Sequence, residues 1–130
     1  MALTAPKTTF EGSTPILRVA NMKASVNYYV EILGFQNADW GSDDFTSVNR
    51  DQAGIYLCQG GQGQAGTWVW VGVENVEELY QEYKTSGAKI LHGPRNYPWA
   101  LEMHVEDPSG HVIRFGSEPL TDRPFDTWMD

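Results

Sequence analysis

The sequence predicts an α+β domain assembled from two copies of one strand–helix–three-strand unit. Three observations carry that prediction. Val19-Ala20-Asn21 recurs as Val73-Glu74-Asn75, and Leu33-Gly34 as Ser86-Gly87, about 54 residues later. A charge-free connector, Gln59-Gly60-Gly61-Gln62-Gly63-Gln64-Ala65-Gly66, separates the copies. Thr67-Trp68-Val69-Trp70-Val71-Gly72-Val73 alternates with period two, placing valines on one face and two indoles on the other. One helix covers only one face of a small sheet. Two units side by side are therefore expected to form a curved eight-stranded mixed sheet, with helices on the convex face and a trough in the hollow. The division is a single domain over 1–130: module one at about 14–58, the connector at 59–66, module two at about 67–117 and an irregular tail at 118–130.

Residues 1–12 are polar and aperiodic, and are expected to be loose. The segment 14–19 reads as a strand, with Pro15 near its start, where a missing N–H is tolerated. Asn21 or Ser25 caps the helix that follows. Its apolar face carries Val26, Tyr29, Val30 and Leu33, and Gly34 ends it. Strands are predicted over 35–40, 45–50 and 54–58, separated by polar turns at 41–44 and 51–53.

The pattern then restarts. A strand over 67–73 leads to Asn75 and Glu78, a variant capping box with Asn in place of Ser or Thr. The helix turns Val76, Leu79, Tyr80 and Tyr83 inward and stops at Ser86-Gly87. Strands follow over 88–91, 101–106 and 112–116, with His92 placed in a loop before Gly93-Pro94. Asp107-Pro108-Ser109-Gly110 has proline second and glycine fourth, which specifies a turn. In the tail, Phe125, Trp128 and Met129 are available to dock on the domain or on a partner subunit.

With 41% hydrophobic and 20% charged residues the chain is that of a globular protein. No apolar run approaches the roughly 20 residues that span a bilayer, and the N-terminus lacks the layout of a secretory signal. A single cysteine, Cys58, excludes an intrachain disulfide and suits the cytoplasm. A net charge of −8 argues against nucleic acid and anionic membrane as partners and is compatible with a cationic ligand.

Alternation assigns the trough face. Leu101, Met103 and Val105 belong under a helix, which points Glu102 and His104 into the trough; Ile113 and Phe115 likewise pack, leaving Arg114 in the trough. Ile55 and Leu57 pack, while Tyr56 and Cys58 are expected to face Trp68 and Trp70. The indole pair reads either as core or as a ligand-stacking wall, and the polar company of the other trough residues favours the wall.

The paired modules, Ile32-Leu33-Gly34-Phe35 closing the first helix, and Glu106-Asp107-Pro108-Ser109-Gly110-His111 near the end together resemble the vicinal oxygen chelate superfamily of glyoxalase I, extradiol dioxygenases, and fosfomycin and bleomycin resistance proteins. The likeness covers about 14–117. It is greatest to the non-catalytic, dimeric bleomycin resistance proteins. Asp39-Trp40 with Asp43-Asp44-Phe45, Trp68-Val69-Trp70-Val71 with Glu78-Leu79-Tyr80, and Pro98-Trp99-Ala100-Leu101-Glu102 carry that closer likeness. The resemblance implies drug-contacting roles for Asp39, Trp40, Phe45, Cys58, Trp68 and Trp99, and a homodimer whose binding crevices draw on both subunits. The superfamily's metal-ligand positions fall on Thr14, Tyr56, Trp68 and Arg114, none a credible ligand for a divalent ion, so neither metal nor other cofactor is expected.

The expected function is sequestration of an aromatic, cationic, bleomycin-like antibiotic, with Asp39, Trp40, Phe45, Tyr56, Cys58, Trp68, Trp70, Trp99, Glu102, His104 and Arg114 as ligand-binding residues and none as catalytic. A metal-dependent glyoxalase- or dioxygenase-type enzyme and a binder of another metabolite are the alternatives. Each residue also has a plainer role: Glu102 with Arg114 as a structural ion pair, Cys58 as a small buried side chain, Trp99 as a cover. The connector has no Lys-Ser/Thr after it and is not a phosphate-binding loop.

Overall fold

A computed structural model describes residues 8–128, with the backbone alone for Thr127 and Trp128. Module one comprises β1 (Ile16–Arg18), α1 (Met22–Asn27), β2 (Gln36–Asn37), β3 (Phe45–Arg50) and β4 (Ala53–Cys58). Module two comprises β5 (Trp68–Gly72), α2 (Val76–Ser86), β6 (Lys89–Asn96), β7 (Leu101–Glu106) and β8 (Val112–Ser117). Each module joins its first strand in parallel to its last, β1 to β4 and β5 to β8, and pairs the remaining strands antiparallel. A short β9 (Thr127–Trp128) adds to β6.

The repeated caps hold each helix start in the same way. Asn21 and Asn75 both sit at φ −144°, and their side chains accept from the N–H groups of Ala24 and Glu78 at 3.0 Å. Gly87 ends α2 at φ 89°, a left-handed conformation that suits glycine. After α1 the chain widens into a π-helical turn (Tyr28–Ile32), closed by the Leu33 N–H on the Tyr28 carbonyl. That turn places Tyr29 and Leu33 in the core.

The two-module α+β fold is the one expected, and two details of it are corrected. The strands do not join into one eight-stranded sheet: β1-β4-β3-β2 and β5-β8-β7-β6-β9 are hydrogen-bonded separately. Nor do the expected site residues line the cleft between the modules, which is bordered by Pro15, Arg50, Ile55, Val71, Glu78 and Tyr83, with Trp70 alone of the expected set. Leu17, Tyr29, Ile55 and Leu57 belong to the same buried cluster as Val76, Tyr83, Met103, Ile113 and Phe115. The helix-bearing faces of both sheets are thus packed into one core, and the opposite faces look away from it.

Short polar contacts lock the modules together. Tyr29 donates to the Asp107 carboxylate at 2.9 Å, and Tyr83 donates to the Leu33 carbonyl at 2.7 Å. Asp107 also accepts from the N–H groups of Ser109 and His111, which fixes the Asp-Pro-Ser-Gly turn. His111 is fully buried between the modules. Its Nδ1 accepts from the Thr67 N–H, so Nε2 carries the proton and donates to the Arg18 carbonyl. Arg50 forms a two-pronged pair with Glu82 at 2.7 and 3.0 Å.

The tail is less irregular than expected. Asn96 accepts from the Leu120 N–H and donates to the Leu120 carbonyl, while the backbone of β9 pairs with Arg95 and Asn96. Phe125 is half-exposed. The docking roles expected for Met129 and the Trp128 side chain, and the loose conformation expected of residues 1–7, lie outside the described residues.

Candidate ligand-binding surface

The surface of module two that faces away from the core is organised by one carboxylate. Glu102, on β7, is fully buried and accepts five hydrogen bonds. Its Oε2 receives the indole N–H of Trp70 at 3.0 Å and that of Trp99 at 2.8 Å. Its Oε1 receives Arg114 through Nε at 3.0 Å and Nη2 at 2.7 Å, and faces His104 Nε2 at 3.1 Å. Burial pushes the Glu102 carboxyl up, but the bonds from Arg114, His104, Trp70 and Trp99 outweigh it and hold the group below its ordinary value. Burial lowers His104 in turn, and nearby His92 adds to that against the pull of Glu102, so the ring is neutral at pH 7.

The aromatic groups are therefore set by a polar floor. Trp70 lies over two glycines: a Cβ at Gly116 would stand 2.8 Å from its Cζ2, and one at Gly72 would stand 3.0 Å from its Cζ3. Trp68 meets His104 edge-on at 5.7 Å, His104 lies 4.1 Å from His92, and Tyr97 stacks on Trp99 at 4.9 Å. Trp68, Trp70 and Trp99 remain 58%, 53% and 61% exposed, which makes them a surface and not a core.

Module one carries a smaller aromatic group. Trp40, Phe45 and Tyr56 contact one another at ring separations of 5.2 to 6.4 Å, with Trp40 itself 61% exposed. Phe45 and Ser47 of β3 stand opposite Cys58 and Tyr56 of β4 on the same face. Cys58 is buried and its sulfur accepts from the Gly60 N–H, so it acts as a small floor residue. Asp39 is exposed in the adjoining loop.

The expected residues thus fall into two sets. Trp68, Trp70, Trp99, Glu102, His104 and Arg114 come together in module two; Trp40, Phe45, Tyr56 and Cys58 come together in module one, with Asp39 beside them in sequence. The expectation that Tyr56 and Cys58 face Trp68 and Trp70 is corrected. Their sheets present these faces in different directions, because the opposite faces share the core. Glu102 is also corrected from a trough-lining group to a buried one. Sequence reasoning missed His92 and Tyr97. His92 belongs to β6, opposite His104, and β6 runs on through Gly93-Pro94 because both residues are absorbed in an irregular register between His92 and Arg95. The signal available was the aromatic spacing of His92, Tyr97 and Trp99.

The model of the glyoxalase/bleomycin resistance protein/dioxygenase superfamily matches residues 13–115. The chain belongs to that superfamily. Several solved structures share its fold. A bleomycin-binding protein from bleomycin-producing Streptomyces verticillus, complexed with copper(II)-bleomycin, is 24% identical over 85% of this chain and 98% of its own, with a TM-score of 0.74. TnmS3, an antibiotic binding protein from Streptomyces sp. CB03234, is 20% identical over 88% of this chain and 100% of its own, also with a TM-score of 0.74. A virulence protein from Salmonella typhimurium is 15% identical over 86% and 99%, with a TM-score of 0.68. No curated protein matches the sequence.

The superfamily's metal chemistry does not fit the side chains present. Thr14 precedes β1 and is exposed, Tyr56 and Trp68 offer rings, and Arg114 is a cation already bound to Glu102. Among the described residues no three His, Cys, Asp or Glu side chains are grouped to hold a metal ion. No helix among them is long and apolar enough to cross a membrane.

Proposed function

We propose that this superfamily member binds and sequesters a flat aromatic antibiotic of the bleomycin kind, in the cytoplasm and without transforming it. The single observation that carries the reading is the Glu102 anchor: one buried carboxylate orients the indoles of Trp70 and Trp99 while leaving more than half of each exposed. Indoles fixed in this way offer stacking faces worth about 0.5–1.5 kcal/mol per ring beyond buried area. Asp39 and the net charge of −8 suit a cationic portion of the ligand. The structural neighbours described as a bleomycin-binding protein and an antibiotic binding protein are consistent with it.

A homodimer belongs to the same proposal. Each chain carries two aromatic half-surfaces on faces that diverge from one core, and among the described residues β1 and β5 each leave one edge without a strand partner within their sheets. A two-fold pairing of copies would set module one of one subunit against module two of the other and cover those edges.

Metal-free bleomycin titrated into the protein is expected to give saturable binding by calorimetry and a shift in tryptophan emission, both weakened in Trp68→Ala and Trp99→Ala. Sedimentation should report a dimer. No heat and no emission change with bleomycin and related aromatic antibiotics up to about 1 mM, where binding would amount to only about 4 kcal/mol, would remove that ligand class.

A further inference from the structure

Resting on the aromatic-ligand reading, we infer that the part of the ligand held against module two carries an anionic oxygen group, a carboxylate or its chemical equivalent, gripped by the outward edge of Arg114. Arg114 stands at the middle of this surface. In register it lies between Trp70 on β5 and His104 on β7, with Trp68 one diagonal step away and in ring contact with His104. Its Nε and one N–H of Nη2 are used on Glu102. A guanidinium has five N–H donors, so three remain, two of them on Nη1. The side chain is 32% exposed beside indoles that are themselves half-exposed, whereas Glu102 is fully buried.

The charge of the surface points the same way. Glu102 is saturated by five donors, and Glu106, the other carboxylate of β7 on this face, is paired with Lys89. An ammonium group brought to the indoles therefore finds no unpaired carboxylate among those two. An anionic oxygen finds a fixed planar donor fork, held in place by Glu102 and flanked by stacking faces. Such charge-assisted, geometrically defined bonds are the stronger class of hydrogen bond. The cationic portion of the ligand then belongs at the module one end, near Asp39. Arg114 here is a specificity-determining residue.

The test uses three probes of one shape on the full chain: 2-naphthoate, 2-naphthamide and 2-naphthylmethylammonium, measured by calorimetry. The naphthoate is expected to bind about tenfold tighter than the amide and tighter still than the amine. That preference should shrink as salt rises from about 50 mM to about 500 mM, and should vanish in Arg114→Gln. If Arg114→Gln fails to fold, Arg114→Lys, which keeps the charge beside Glu102 but lacks the fork, should reduce the preference, and the salt series on the unaltered protein stands by itself. Equal affinity for naphthoate and amide, or tighter binding of the amine, overturns the inference while leaving the aromatic-ligand reading intact. Binding by none of the three overturns both.

Discussion

Replacing Glu102 by glutamine probes the anchor without opening a cavity. The two side chains have the same shape, so the change is one of charge and donor pattern. One oxygen remains to accept from Arg114 and His104. The other becomes an amide nitrogen, which meets the N–H groups of Trp70 and Trp99 donor against donor at sites now spanned by 3.0 and 2.8 Å bonds. Hydrogen bonds to a charged group contribute about 1.5–3 kcal/mol each, so two of them set a ceiling near 6. Both indoles are more than half exposed and regain water partners, which brings the expected loss to about 2–3 kcal/mol. Urea unfolding gives the magnitude, and near-ultraviolet circular dichroism reports whether the indoles have lost their fixed setting. A variant within about 0.5 kcal/mol of the parent, with an unchanged aromatic spectrum, would refute the anchor.

The same substitution alters the acid limb of stability. The Glu102 carboxyl is held below its ordinary value of 4.5 in the fold, so its contribution is present above that value and is lost as pH falls through the lower folded value. His104 is held below its ordinary value of 6.5, so the folded state takes up its proton later than the unfolded chain does, and stability begins to fall below that pH. Glu102→Gln should remove the more acidic of these two losses, while a loss beginning below pH 6.5 remains.

Three further outcomes are expected. Gly116→Ala drives a methyl against the Trp70 ring and should cost about 1–3 kcal/mol, with a shift in tryptophan emission, in a urea titration followed by fluorescence. Tyr29→Phe removes the bond to Asp107 and should cost about 1 kcal/mol at pH 7. Burial and Asp107 raise the Tyr29 hydroxyl well above its ordinary value of 10, so the parent loses stability as pH rises past that value; Tyr29→Phe should lose it less steeply in unfolding curves taken from pH 8 upward. Asn75→Ala deletes the cap on α2 and should cost about 1 kcal/mol by thermal unfolding, without altering ligand affinity.

Local pattern made much of this molecule legible. Period two separated Trp68 and Trp70 from Val69 and Val71, and Glu102 and His104 from Met103 and Val105, because each sheet has one face in the core. Asn21, Asn75 and Gly87 marked helix ends because caps are decided within a few residues. What alternation cannot give is the object that a face meets. Tyr56 and Trp68 both point away from the core, yet they belong to surfaces that diverge, since the pairing of the two modules is set by long-range contacts such as Tyr29 with Asp107 and Tyr83 with Leu33. His92 was hidden by Gly93-Pro94, a strong breaker signal that the irregular register of β6 absorbs. The burial of Glu102 escaped for a related reason: a carboxylate reads as exposed until its donors, 3, 12 and 32 residues away in the chain, are brought over it.

The saturation of Glu102 has a consequence for how quickly and selectively a guest is held. With every lone pair of the carboxylate engaged, the neighbouring rings have little freedom left to surrender when a flat molecule arrives, so the entropy penalty of association falls mainly on the guest. A wall that is stiff beforehand favours molecules already planar and discriminates against those that must straighten to fit.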